Sequence, residues 1–389
     1  MPPRLPAALA TAAAVLASAV AVSGPAQAET SGTTTNCPAA GTYIPGTTFK
    51  RTVLANGVAL SEGRKRDSRG VVDMHILRVS TTTAGVHFGP LVRKLAERHP
   101  LSSLAYARPH LVAASNTGYY SFTLGAPTGQ VIGSSRPWVM SSTPQQVFGF
   151  ASGNLAQGGR VWLAGTATWS TSRQPIVGVN TATVPTGISV YSSLWGTTHR
   201  IVLPSGAVTR YWSAGKLTTV AGTSTAVPTS GYLVVARGST AVAWLKRPAK
   251  GATLGISYAA RTDAPRPFVQ AYGVGITLVS QQSTARTGFT CRTSYPQPAR
   301  TAVGYANGGK SLVIAVVTDH PGTEVHGLDA NQMSKLMAEL GVTKAYSFDG
   351  SGSAELMAKM PGSTSLSIRN YTADGHERTM PMGLGIYVG

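Results

Sequence analysis

Ser311-Leu312-Val313-Ile314-Ala315-Val316-Val317, followed by residues 329–340 and then by Val342-Thr343-Lys344-Ala345-Tyr346-Ser347-Phe348, is the stretch whose reading decides the fold. The first run is apolar and β-branched, the signature of a strand. In residues 329–340, Met333, Leu336, Met337 and Leu340 recur on one helical face. Asp329 with Gln332 makes a capping-box start, and Gly341 supplies the stop. A second strand follows, so the segment reads as a compact β-α-β unit. Its last strand delivers Asp349-Gly350-Ser351-Gly352-Ser353.

Working outward, residues 71–79 alternate and are β-branched, which predicts a strand. Residues 109–116 read as a buried strand ending on the polar Asn116. Residues 91–99 and 101–106 have a weak helical pattern broken by Pro100. Arg64-Lys65-Arg66-Asp67-Ser68-Arg69 reads as a solvated loop. From Asn116 to about residue 260 short apolar runs are separated by Gly, Pro, Ser and Thr clusters, the grammar of many strands and tight turns. The expected class is α+β: a β-rich domain of many short strands with few helices and a C-terminal β-α-β unit. No internal repeat is visible.

The N-terminus opens Met1-Pro2-Pro3-Arg4, continues through an apolar run and offers Ala26-Gln27-Ala28. That order predicts a signal peptide over 1–28, cleaved near Ala28, and a secreted, extracellular or cell-wall-associated protein. Residues 29–70 read as a leader and N-terminal extension, and 71–389 as one domain. No later run is long and apolar enough for a transmembrane segment, which needs roughly 20 residues. Lys and Arg number 33 against 14 Asp and Glu, a net charge of +19. Such a surface attracts polyanions, for an exported protein above all anionic cell-wall glycans such as teichoic acid; no specific nucleic acid is implied. The two cysteines, Cys37 and Cys291, suggest one disulfide, and their wide spacing argues against zinc.

With so few acids, the place of each carboxylate is informative. None lies between Glu97 and Asp263, and six of the fourteen fall between Asp319 and Glu355. Asp329 caps a helix, and Glu339 is expected to face solvent. Asp349 stands where an apolar strand stops and a Gly/Ser loop begins, so it is the first candidate for catalysis; the plainer alternative is an Asx-type turn. The amides of Gly350, Ser351, Gly352 and Ser353 are a candidate anion nest. Arg300, with Thr301 beside it, could hold a phosphate through its planar fork. Asn116 could orient a sugar hydroxyl or merely close a turn, with Tyr119 close by in sequence. His320 and His326 flank a loop without metal spacing. No cofactor is expected and no spacing demands a metal, although a divalent cation such as Ca²⁺ between Asp349 and a phosphate is chemically compatible.

In order, Asn116-Thr117-Gly118-Tyr119-Tyr120, Gly125-Ala126-Pro127-Thr128-Gly129, Arg300-Thr301-Ala302-Val303-Gly304, the helix that starts at Asp329, and Asp349-Gly350-Ser351-Gly352-Ser353 resemble the phosphodiester glycosidase family. Gly375-His376-Glu377-Arg378 is similar to that family's Gly-Glu-Arg close, with one residue inserted. Thr117 and Ser351 stand where the family has glycine, and Thr318-Asp319-His320 where it reads Asp-Gly-Arg. The resemblance implies a hydrolase that cleaves the sugar–phosphate bond of glycosyl phosphodiesters, with Asp349, Arg300 and Asn116 catalytic and Thr301, Gly350, Ser351, Gly352, Ser353 and Tyr119 on the phosphate and substrate. The alternatives are a non-catalytic binding protein for anionic cell-wall polymers, and a hydrolase of uncharged glycans. The last would need a second carboxylate near Asp349, with Glu355, Asp319 and Glu324 as candidates.

Overall fold

The computed structural model of the chain describes residues 34–37, 39–280, 284–292 and 297–389. The expected signal peptide, with its cleavage near Ala28, lies outside the described residues. Among them are three α-helices and many short strands, so the α+β, β-rich expectation holds.

The centre is an eight-stranded antiparallel sheet in the order Thr284–Ala285, Thr277–Ser280, Lys344–Ser347, Arg300–Ala306, Ser311–Val317, Gly70–Ser80, Val58–Asp67, Phe49–Ala55. The expected β-α-β unit is there with one refinement. The Arg300–Ala306 strand is inserted between Ser311–Val317 and Lys344–Ser347, pairing antiparallel to both. The helix Ala330–Glu339 begins at Asp329, whose carboxylate accepts from Gln332 N–H at 2.9 Å while the Gln332 side chain accepts from Asp329 N–H at 2.9 Å.

Strand alternation divides the core between the two faces of this sheet. Val313, Ala315 and Val317 pack with Val72, Met74 and Ile76 under Met333, Leu336 and Met337 of the helix. Each such fully buried side chain contributes about 1.5–3 kcal/mol relative to exposure. Leu312, Ile314 and Val316 face the other way, onto a five-stranded sheet ordered Ser367–Ile368, Leu356–Ala358, Leu111–Asn116, Met382–Val388, Val86–Val92. The Ser311–Val317 strand is thus covered on both sides, which is why its sequence is continuously apolar.

A third unit occupies the middle of the chain. Strands Ser172–Val179, Arg136–Ser141, Val131–Gly133, Phe268–Gly273, Gln145–Ala151 and Ala156–Trp169 pair in that order, and the last pairs back to the first. The closed ring leaves these strands without free edges and encloses Ile132, Val147, Val161, Leu163, Ile176 and Ala271.

Two sequence expectations are corrected. Residues 91–99 are not helical: the strand Val86–Val92 runs along Met382–Val388 with Leu91 opposite Gly383, and only Leu101–Ala105 is helical beyond it. Pro90 is tolerated there because the strand is an edge. Arg64-Lys65-Arg66 is not a loop but the outer end of Val58–Asp67, in register with Gly70–Ser80. The strands Phe49–Ala55 and Val58–Asp67 therefore build residues 49–67 into the central sheet. The expected disulfide joins Cys37 to Cys291, with Cα atoms 4.9 Å apart, beside the small pairing of Thr34–Asn36 with Thr290–Arg292.

Replacing Asp329 by Ala removes the side-chain acceptor of the capping box and should lower the free energy of unfolding by about 1 kcal/mol in urea titration, whereas Asp329→Asn should retain most of it.

Candidate active site

The Leu111–Asn116 strand ends beside the start of Arg300–Ala306 and the loop after Lys344–Ser347, and one side chain ties the three together. Asn116 is 1% exposed. Its Oδ1 accepts from Thr301 Oγ1 at 2.8 Å and from Glu355 N–H at 3.2 Å. Its Nδ2 donates to the carbonyl of Asp349 at 2.8 Å. In return Asp349 N–H donates to Thr117 O at 3.0 Å, and Phe348 N–H to Thr301 O at 2.9 Å. Asn116, Thr301, Asp349 and Glu355, far apart in sequence, thus meet at one point. The amide of Asn116 is engaged on both of its ends by groups of this loop and the adjoining strand.

Asp349 Oδ1 accepts from Gly350 N–H at 2.9 Å, the Asx-type contact that the sequence allowed. Of the four loop amides expected to form an anion nest, those of Gly350, Ser351 and Ser353 have acceptors within the protein. Ser351 N–H donates to Ala299 O at 2.8 Å and Ser353 N–H to Gly350 O at 3.1 Å. Ser351 sits at φ 55°, in the left-handed region where the family resemblance places glycine, at a cost of about 1–2 kcal/mol for a residue with a Cβ. Thr117, the other departure, turns its hydroxyl inward to Met382 O at 3.3 Å and is fully accommodated. Arg300 donates through Nε to Leu328 O at 3.0 Å. Tyr119 holds the Gly125–Gly129 turn by accepting at its carbonyl from Thr128 N–H at 3.0 Å and from Thr128 Oγ1 at 3.1 Å.

The far wall of the loop comes from the C-terminal segment. A Cβ on Gly352 would run into Asp374 Oδ2 and Arg378 Nη2, so a side chain there would push that ion pair aside. Arg378 forks onto Asp374, Nε to Oδ2 at 2.8 Å and Nη2 to Oδ1 at 2.9 Å. Burial works against its charge, but the Asp374 carboxylate more than offsets this, with Tyr120 and Asp349 adding, and its pKa is held above the usual value. Arg378 also lies over the Phe122 ring, 5.4 Å from the centroid. Ser353 Oγ, buried beside the Tyr120 hydroxyl, has no hydrogen bond in the protein by geometry, while Tyr120 itself donates to Thr379 O at 2.9 Å.

Behind the loop two carboxyls face each other. Glu355 is fully buried and lies against Glu377, which accepts from Ser102 N–H at 2.9 Å and Ser102 Oγ at 2.6 Å. Burial, and then the neighbouring Glu377, push the Glu355 carboxyl up to about 9, so at neutral pH it keeps its proton, while by geometry neither of its oxygens makes a hydrogen bond in the protein. Of the other two acids considered as second carboxylates, Glu324 is exposed and paired with Arg66 at 2.7 Å. Asp319 is buried, and burial raises it to about 6 against the pull of His326 and His320. His326 binds Asp67 at 3.1 Å, and His320 stacks on Tyr371.

Arg378 and Glu377 are the residues that sequence reasoning left out of the site, and Glu355 entered only as a candidate second carboxylate. The Gly375-His376-Glu377-Arg378 motif was their signal, but nothing local says that it folds against residue 352.

Residues 207–387 match the model of the phosphodiester glycosidase family. The resemblance read from the motifs is thereby borne out over that segment, which contains Arg300, Asp349 and Arg378 but not Asn116. No curated protein matches the chain significantly. Among solved structures, a hypothetical protein from Synechocystis superposes with a TM-score of 0.72 at 18% identity, over 88% of this chain. The chain spans 64% of that protein's length. A Burkholderia pseudomallei K96243 protein described as exported gives 0.64 at 18% identity, over 82% of this chain and 74% of that one. The catalytic domain of zebrafish N-acetylglucosamine-1-phosphodiester alpha-N-acetylglucosaminidase, auto-inhibited by its pro-peptide, gives 0.47 at 16% identity, over 88% of each. At these identities the first two structures establish a shared fold.

Glu355 holds its proton more tightly folded than unfolded. Its contribution to stability is complete below about pH 4.3 and is lost as pH rises toward 9. Urea unfolding of wild type between pH 5 and 8.5 should show stability falling by up to about 1.4 kcal/mol per pH unit from this group. Glu355→Gln should remove that part of the slope; an unchanged slope would show that the pair does not share a proton.

Proposed function

We propose that the protein hydrolyses the sugar–phosphate bond of glycosyl phosphodiesters, at a site built on the Asp349 loop. The observation that carries this is the Asn116 side chain, which fastens the Asp349 loop to the ends of two strands beside Arg300 and opposite Arg378. One carboxylate facing the Arg378 guanidinium suits this reaction better than ordinary glycoside cleavage. The departing phosphate monoester carries its own negative charge and needs little protonation, so the two carboxyls of a standard glycosidase, about 5 to 10 Å apart, are not required.

In this reading Arg378, oriented by Asp374, and Arg300 bind the phosphate oxygens through their planar forks. Asp349 accepts a proton from water as its oxygen attacks the sugar C1. The C1–O bond breaks, and its electron pair leaves with the phosphate, whose charge the two arginines stabilise. Asn116 and Thr301 are positioning residues: they set where the carboxylate stands. Because the Gly350, Ser351 and Ser353 amides already have acceptors, phosphate recognition in this reading falls mainly to side chains.

The proposal extends to an exported protein acting on cell-wall or other extracellular glycans. The Cys37–Cys291 disulfide supports it, since such bonds persist in oxidising compartments. So does the net charge of +19, which suits anionic polymers.

The test is release of free sugar from a panel of glycosyl phosphodiesters, including N-acetylglucosamine 1-phosphodiesters and teichoic acid fragments. Asp349→Asn should lower turnover at least 100-fold with the fold intact. Arg378→Lys should raise KM for the phosphodiester more than it lowers kcat, because a point charge replaces the fork. Full turnover by the Asp349→Asn protein overturns the assignment. Binding of the polymers without release by wild type moves it to a non-catalytic wall-binding protein.

A further inference from the structure

A second chemistry-bearing group lies on the same edge of the central sheet, three strands from Asp349, or about 14 Å at the usual strand spacing. The alternation that sends Val72, Met74 and Ile76 to the helix sends Asp73 and His75 to the opposite face. Register sets Arg64 opposite Asp73 and Glu62 opposite His75. The result is a continuous ladder. Arg64 Nη2 meets Asp73 Oδ2 at 2.9 Å, and Asp73 Oδ1 lies 3.6 Å from His75 Nε2. His75 Nδ1 lies 3.3 Å from Glu62 Oε1, and Arg369 Nη2 reaches both Glu62 oxygens at 3.0 and 3.2 Å.

This ladder lines a cleft of about 700 Å³, within the size range of small-molecule sites. Its rim carries His320 and Tyr371, stacked with centroids 3.6 Å apart, and Tyr371 is 38% exposed. Two buried polar atoms of the lining, His75 Nε2 and Thr318 Oγ1, have no hydrogen bond in the protein. Both residues are more than nine-tenths buried, and such groups normally find a partner.

The chemistry of the lining selects its ligand. In a chain of net charge +19 a cleft might be expected to take an anion, but here the two carboxylates are held in place by Arg64 and Arg369. A phosphate entering would meet Glu62 and Asp73 and compete with them for those arginines. Hydroxyl groups would not: each can donate to a carboxylate oxygen while accepting from an Arg or His N–H. An exposed aromatic ring at the rim matches the apolar C–H face of a sugar ring. We propose that this cleft is a binding site for an uncharged hexose unit of a glycan, with Tyr371 as the platform and the Glu62–His75–Asp73 ladder as hydroxyl partners. The proposal concerns binding, and stands whether or not the Asp349 loop hydrolyses phosphodiesters.

The test is calorimetric titration of the full chain with N-acetylglucosamine oligomers, maltooligosaccharides and mannooligosaccharides, each also in the presence of inorganic phosphate. At least one uncharged series should bind, and phosphate should not displace it. Tyr371→Ala should weaken binding at least tenfold, Tyr371→Phe should keep it, and Asp349→Asn should leave it unchanged while abolishing any sugar release. Absence of binding across the three series overturns the proposal. So does binding that survives both Tyr371→Ala and Glu62→Gln, or that phosphate displaces.

Discussion

The site depends on one buried amide. Asn116 ends a strand of the five-stranded sheet, yet its side chain bonds to Thr301 of the eight-stranded sheet, to the carbonyl of Asp349 and to the amide of Glu355. A buried amide left without partners costs about 1–3 kcal/mol per group, so these bonds exclude alternative loop positions as much as they favour this one. Most of the contact between the two sheets is apolar, which is strong but not directional. The direction comes from Asn116. The loop that carries Asp349 is fixed because a polar group at the sheet interface can be satisfied in only one arrangement.

Scarcity of acid shapes the rest. In a chain with 14 carboxylates against 33 cations, an acid left free would be quickly claimed by an arginine. The structure uses its acids in pairs or at helix and loop ends: Asp374 orients Arg378, Glu62 and Asp73 engage Arg369 and Arg64, and Asp329 caps a helix. Glu355 is the exception. Its partner is another carboxyl rather than a cation, and the pair is affordable only with a shared proton and with Ser102 holding Glu377. That pair sets the residues after the Asp349 loop against the residues before Arg378.

What could be read from sequence was what local rules determine. The Ser311 strand, the capping box at Asp329 and the turn into Asp349 each depend on residues within a dozen positions, and all three stand as read. The misread segments depend on distant partners. Leu91 is in a strand because Gly383 lies opposite it, nearly three hundred residues away, and this pairing overrides a weak helical pattern. Arg64 and Arg66 look like loop residues because their strand is exposed on that stretch, although its register is fixed by the neighbouring hairpin strand. The site follows the same division. Asp349, Arg300 and Asn116 could be singled out as residue types at strand ends, but their orientations could not. An asparagine engaged on both ends of its amide and loop amides with acceptors within the protein are properties of packing.

Gly352 shows how the two levels meet. In the sequence it is one glycine among several in a Gly/Ser loop, and its obvious reading is backbone freedom. In the structure its value is the missing Cβ, since that volume is taken by Asp374 and Arg378. A side chain there would separate the guanidinium from the Asp349 loop before any ligand arrived. The closeness of the carboxylate and Arg378 is therefore set by steric room, and charge acts on a geometry already decided. The fork of Arg378 is in turn held by Asp374. With that second anchor Arg378 is placed by Asp374 as well as by its attraction to Asp349, so the guanidinium keeps its distance from the carboxylate it serves.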